Sequence, residues 1–240
     1  MRPVGLFDRP LDELRRWQDA LQAGSQVREL EPVTGLPWAT RPPVVLSDAT
    51  QVELGSPKVA SFGMALWGDA AAVTDRRITL IGPDFGPRPA SSFPLAQVVV
   101  VGGAVDEPLE GFRAFREAVY GLRLEGVSTR HHPASYRVWY RAGQEAVDLG
   151  FDAAMLGTAL LERCAELPFA DRVEVVLATD ADVVSSLLPT AELCGDIGAA
   201  LTQMGDEMAY DCETCDYAEI CDQIDELKAL RDKLRQEDRS

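Results

Sequence analysis

The feature that most constrains the fold is an almost unbroken apolar run, LAQVVVVGG, at residues 95–103. Its length is that of one strand, and apolar residues at consecutive positions are typical of a strand in the interior of a sheet. The run therefore predicts a central, buried strand.

Shorter β-like and amphipathic segments follow one another along the rest of the chain. Strands are predicted at residues 59–67, 76–84, 135–141 and 172–180. Helices are predicted at residues 10–22, 108–124, 153–167 and from 188 to about 208. The two types mix without strict βαβ alternation, which predicts an α+β fold: a mixed β-sheet packed with helices, followed by a small helical, cysteine-rich C-terminal segment.

The pattern predicts three regions. Residues 1–46 read as an N-terminal helix and a linker, since residues 23–46 hold four prolines and no hydrophobic period. Residues 47–188 form the α+β middle domain. Residues 189–240 form a helical, cysteine-rich segment suited to a metal or cluster.

Charge and segment composition exclude several classes of partner. The net charge of −16, from 39 acidic and 23 basic residues, repels nucleic acid and anionic membranes, so neither is expected as a partner. The chain has no run of eighteen apolar residues, the length that a helix needs to span a bilayer, so no spanning helix is expected. The N-terminus lacks the pattern of a secretory signal, so a cytoplasmic protein is expected.

Three of the five cysteines fall within DCETCDYAEIC, residues 211–221. In a reducing compartment the spacing C-x2-C-x5-C favours metal ligation by Cys212, Cys215 and Cys221 over disulfides. Thiolates select zinc or iron–sulfur clusters. The nine acidic residues between positions 206 and 226 are compatible with zinc and with an iron–sulfur cluster, so the residues do not decide between these two cofactors.

The fourth ligand is open as well. Cys194, eighteen residues before Cys212 in the context ELCGDI, is the best candidate within the chain. It could equally be a small buried apolar residue on a helix. A water, a substrate or a partner's residue could instead occupy the position. Cys164 lies on the apolar face of its helix and is predicted to be core.

Six segments occur in an order that is found in a known family. They are ELGSPKVASFGMALW, RRITLIGPDFG, FPLAQVVVVGG, LEGFRAFREAVYGLR, VWYRAGQEAVDLGFDAAMLGTALLERC and ADRVEVVLATDADVV. From about residue 52 to residue 184 the chain resembles the middle domain of acetyl-CoA synthase, the beta subunit of the CO dehydrogenase/acetyl-CoA synthase complex.

The resemblance implies an inorganic cofactor. YDCETC resembles the entry to the family's cluster-bearing domain, which implies that Cys212 and Cys215 are the first ligands of a [4Fe–4S] cluster, with Cys221 as the third. Cys194 shares the Leu-Cys-Gly context of the family's fourth ligand but precedes the motif. Zinc is the alternative. The family's Cys-Gly-Cys motif has no counterpart here, so nickel is not expected.

The expected function is that of an iron–sulfur-cluster-binding relative of acetyl-CoA synthase. If it is an enzyme, a cluster-dependent transferase-like or lyase-like reaction on an acyl, carbonyl or thiol small molecule is expected. The alternative is a non-catalytic electron-transfer or accessory subunit, or a zinc-stabilised interaction protein.

Two further features bear on partners. The family resemblance places His132 and Arg137 in a region linked to CoA, which implies a role in binding an acyl or CoA-like ligand; an exposed loop is the alternative. The C-terminal stretch QIDELKALRDKLRQ carries Ile224, Leu227, Leu230 and Leu234 on one stripe. Such a helix can pair with a protein partner or with a second copy of the chain, or pack onto the body.

Overall fold

The fold is seen in a computed structural model, which describes residues 5–22, 27–56, 59–86, 91–131 and 136–205. The α-helices in these ranges are α1 (Asp8–Gln22), α2 (Pro108–Tyr120), α3 (Gln144–Asp148), α4 (Ala153–Ala165), α5 (Ala181–Ser186) and α6 (Leu188–Gly205). The strands are β1 (Val27–Leu30), β2 (Val52–Leu54), β3 (Ser61–Gly68), β4 (Arg77–Ile81), β5 (Ser91–Phe93), β6 (Leu95–Gly102), β7 (Val127–His131), β8 (Val138–Ala142) and β9 (Arg172–Ala178).

A five-stranded mixed sheet has the order β1-β4-β9-β6-β3. Strands β3 and β6 are parallel, β6 and β9 antiparallel, β9 and β4 parallel, and β4 and β1 antiparallel. Every residue of β6 is buried, which confirms the central strand that the apolar run predicts. The mixed pairing confirms the α+β fold.

A smaller sheet has the order β5-β2-β8-β7. Its strands are three to five residues long, and only β2 and β5 run parallel. Strand β8 also contacts β3. The side chain of Tyr140 on β8 is fully buried, so the two sheets share packed side chains.

Helices cover the larger sheet and begin at recognisable signals. Helix α4 lies against β9 and β4, and Asp152 caps its first turn by accepting a hydrogen bond from the Met155 amide at 2.8 Å. Helix α2 starts at Pro108, whose ring suits the first turn, and contacts both α4 and α6. Helix α6 lies against β3 and α1.

One hydrophobic core runs through the described residues, from Leu6 before α1 to Leu201 in α6. Helix α1 and helix α6 thus pack with the middle region, and the boundaries near residues 46 and 188 stay a prediction. The expected linker contributes β1, which pairs with β4 at the edge of the sheet. Val27 and Leu30 are half-buried, while Arg28 and Glu29 between them are exposed, so no apolar run marks this strand in the sequence.

Within the described ranges, no helix combines the length and the apolar content needed to cross a membrane.

Candidate functional site

A groove of about 490 Å³ lies between α2 and α6, with β3 as its floor. We call it the α2–α6 groove. Helix α2 contributes Phe112, Arg116 and Tyr120, and the floor is formed by Gly63 and Ala65. Its volume is within the range of about 300–1,000 Å³ that is typical of ligand pockets.

The α2 wall consists of two aromatic rings with one arginine between them. Phe112, Arg116 and Tyr120 are four residues apart, so they lie on one helix face. The Arg116 guanidinium lies 5.5 Å from the centre of the Phe112 ring and 5.7 Å from that of Tyr120. Tyr120 in turn stacks on His131, with the ring centres 4.9 Å apart and the planes at 9°. The wall therefore presents apolar rings held around a positive charge.

The α6 wall is built from small residues that let other side chains come close. A Cβ atom at Gly195 would lie 2.7 Å from Tyr136, and one at Gly198 would overlap the Phe112 ring. Ala199 and Thr202 continue this wall toward the end of α6. The glycines therefore allow α2 and Tyr136 to pack directly on the α6 backbone.

Acidic groups stand on the α6 side of the groove. The Tyr136 hydroxyl donates a hydrogen bond to Glu192 at 3.4 Å. Burial, and then the nearby Glu192 carboxylate, raise the pKa of Asp196, which lines the groove. The α6 side therefore carries neighbouring carboxyl groups, while the α2 side carries Arg116.

Beside the floor lies a buried polar pair that the sequence analysis did not single out. Gln97 on β6 pairs in register with Gly63 on β3, so both lie on one face of the sheet. Gln97 accepts a hydrogen bond from the Tyr140 hydroxyl at 2.5 Å. Its side-chain nitrogen has no hydrogen-bond partner among the described residues. The available signal was that Gln97 is the one polar residue in LAQVVVV.

Cys194 lies on α6, lines the groove and is 6% exposed. Burial raises the pKa of its thiol, and the Glu13 carboxylate adds to the effect. The thiol therefore has to lose a strongly held proton before it can ligate a metal. Cys164 is core, as predicted, and burial raises the pKa of its thiol to about 12.

Of the remaining predicted site residues, some lie inside and others outside the ranges that the structure describes. Cys212, Cys215, Cys221 and His132 lie outside the described residues, so their roles stay predictions. Arg137 is exposed and follows Tyr136, which lines the groove. Within the described ranges, no three His, Cys, Asp or Glu side chains are grouped so that they could hold a metal ion.

A second cavity, of about 440 Å³, is polar and lies beside α1, β1 and β4. We call it the polar cleft. At this cleft the buried Glu174 carboxylate accepts hydrogen bonds from Arg15 at 2.5 Å, Arg77 at 3.1 Å and the Thr74 amide at 3.0 Å. Arg15 also donates to the Ala72 carbonyl at 2.8 Å. This arrangement ties α1 to two strands of the sheet.

Known proteins match this chain over the region that carries the fold. The family model of the CO dehydrogenase/acetyl-CoA synthase complex beta subunit matches residues 43–184. The acetyl-CoA decarbonylase/synthase complex subunit beta of Archaeoglobus fulgidus is 31% identical over 142 residues, which make up 57% of this chain and 26% of that protein.

A second relative extends the match. Subunit beta 1 of the acetyl-CoA decarbonylase/synthase complex of Methanosarcina mazei is 29% identical over 171 residues, 68% of this chain and 36% of that protein. The matched part of the chain thus spans about a quarter to a third of the length of these curated relatives.

Proposed function

Because this chain belongs to the CO dehydrogenase/acetyl-CoA synthase complex beta-subunit family, we propose that it is an iron–sulfur-cluster-binding protein. The single observation that carries the proposal is the spacing C-x2-C-x5-C of Cys212, Cys215 and Cys221, seven residues beyond the end of α6. Three soft sulfur donors within ten residues fit a [4Fe–4S] cluster, and zinc is the alternative that the donors also accept.

Cys194 is the candidate for the fourth ligand. It lies eleven residues before Gly205, which along a helix is about 16 Å. The seven residues from Gly205 to Cys212 can extend to roughly 24 Å. The sequence separation therefore permits Cys212 and Cys194 to share one site, and cluster binding would have to displace the Cys194 proton.

If Cys194 does not bind, the fourth iron stays open and can bind and polarise a small ligand, and an acyl, carbonyl or thiol compound is the class we propose. The residues offered for its recognition are His132 and Arg137. Support for Arg137 is its exposed position next to Tyr136 at the groove. The matched relatives are named as subunits of a complex, which supports a protein partner for this chain.

Metal analysis of the full chain, purified without oxygen and reconstituted with iron and sulfide, tests the proposal. We expect iron and acid-labile sulfide in equal amounts, with the charge-transfer absorbance of thiolate-bound iron. Cys212→Ser should lower both, while the control Cys164→Ser, in the buried face of α4, should not. Unchanged metal content in Cys212→Ser would refute the cluster.

Two readouts of the same experiment separate the alternatives. Zinc in place of iron and sulfide would support the zinc-stabilised interaction protein. Cys194→Ser decides the fourth ligand, because its loss should change the cluster's spectrum only if Cys194 binds iron. Light scattering of the chain with and without the residues beyond Asp222 tests pairing through the C-terminal helix, which a monomer in both forms would contradict.

A further inference from the structure

We propose that the α2–α6 groove is the docking site of the chain's own segment DEMAYD, residues 206–211, which directly follows α6. Docking of this segment requires no metal. It goes beyond the cluster proposal, and either can fail without the other.

The segment begins within reach of the groove. Thr202 and Gln203 line the groove, and α6 ends at Gly205. From Gly205 back to Ala199 in the groove is about 9 Å along the helix, and the three residues from Gly205 to Met208 can span about 10 Å. Glycine at a helix end readily allows the left-handed conformation that reverses the chain. A tether this short gives an effective concentration of roughly millimolar.

The groove and the segment both carry apolar surface. The groove presents Ala65, the Phe112 ring and Ala199 between its charged rims. Within DEMAYD, the residues Met208, Ala209 and Tyr210 form an apolar triplet with acidic residues on both sides. Burying a Met and a Tyr side chain against this floor would contribute the main stabilisation.

The segment is acidic, and the α2 side of the groove carries a positive charge. Between residues 206 and 226 the chain carries nine acidic residues and no Lys or Arg. Arg116 lines the α2 side of the groove, and Arg137 follows Tyr136 at its rim. Asp196 and Glu192 stand on the α6 side. The acidic residues of the segment should therefore face α2, because α6 would repel them.

Photo-crosslinking within the full chain tests the proposal. The residue p-benzoylphenylalanine replaces Phe112 in one variant and Tyr136 in a second, so that a folding defect in one leaves the other informative. Val44, which is 75% exposed and does not line the groove, receives it in the control. Irradiation is done with a chelator present and again after iron and sulfide loading, and peptides are identified by mass spectrometry.

We expect Phe112 and Tyr136 variants to crosslink to residues 206–211 of the same chain, with and without metal, and Val44 to give none. A mixture of unlabelled and nitrogen-15-labelled protein distinguishes crosslinks within one chain from crosslinks between two copies, because only the latter join labelled to unlabelled peptides. Crosslinks only between copies, or to other segments, would overturn the proposal, as would an empty result in both groove variants.

Two sets of substitutions, made in the variant that crosslinks, sharpen the result. Met208→Ser with Tyr210→Ser should lower the crosslink yield about tenfold, since the apolar contact is lost. Arg116→Gln should lower it about twofold to fivefold, the range of one partly exposed charge contact. The matched control is Arg113→Gln on the same helix, whose side chain pairs with Glu110 at 2.8 Å away from the groove lining. Equal yields in all of them would overturn the assignment.

Discussion

The polar cleft and the α2–α6 groove are similar in size, about 440 and 490 Å³, but they differ in how their charges are arranged. At the polar cleft, two arginines converge on the buried Glu174 and join α1 to the sheet. In the groove, Arg116 lies over aromatic rings on one wall and Asp196 stands on the other.

This difference separates a structural site from a candidate functional one. A buried carboxylate whose oxygens are all engaged is costly to disturb and has no acceptor to offer a ligand. A groove with an apolar floor and opposed charges at its rims retains surface for another group to cover. We therefore interpret the polar cleft as a structural site and the groove as the candidate functional site.

The largest effect should come from breaking the ion network of the polar cleft. Glu174→Gln leaves Arg15 and Arg77 without their carboxylate. We expect the free energy of unfolding to fall by about 3 kcal/mol. This value is at the low end for a broken buried ion pair, because both arginines are partly exposed. Urea denaturation measures it. Glu110→Gln, which removes an exposed pair, should cost under about 1 kcal/mol. Equal losses would contradict the structural role of the cleft.

A smaller effect is expected from overfilling the α2–α6 groove. In Gly198→Ala the added Cβ would overlap the Phe112 ring, so we expect a destabilisation of about 1–3 kcal/mol as α2 shifts away from α6. Gly86→Ala is the matched control, because its Cβ would meet nothing nearer than the Asp152 Cβ at 3.7 Å. Thermal unfolding compares the two, and no difference between them would argue against close packing of the two helices.

The smallest effect is a shift in one titration. Burial, and then the Arg116 charge, lower the pKa of His131 below its usual 6.5. The unfolded chain then binds this proton more readily, so stability is fully present above about pH 6.5 and falls as the pH drops toward the folded-state pKa. NMR titration, with His132→Gln to assign the signals, should give a midpoint below 6.5 for His131. Arg116→Gln should raise it and Arg113→Gln should not.

Much of the fold could be predicted because the local pattern and the tertiary environment agree. The apolar runs predicted β3, β4, β6 and β9, and helical spacing predicted α1, α2, α4 and α6. The strands that were missed, such as β1 and β5, are three or four residues long. Strands this short carry too few residues for a period of two to stand out from a loop.

The candidate site was less predictable than the fold. Sequence spacing drew attention to the cysteines, and of the four proposed ligands only Cys194 belongs to the part of the chain that the structure describes. Phe112 and Arg116 both lie in the helix predicted at residues 108–124, but the sequence did not mark either of them as a site residue. Their common wall depends on where α6 comes to lie, and nothing within α2 encodes that.

By itself, the sequence determined the α+β class and the family, because both depend on residue type and spacing along the chain. It also predicts metal ligation by the C-terminal cysteines, which stays a prediction. Only the tertiary structure decided that Glu174 joins α1 to the sheet, that Gly195 and Gly198 admit neighbouring side chains, and that Cys194 lines a groove. Such contacts join residues that are distant in the chain, and local sequence patterns do not show how far apart two helices or strands lie in the fold.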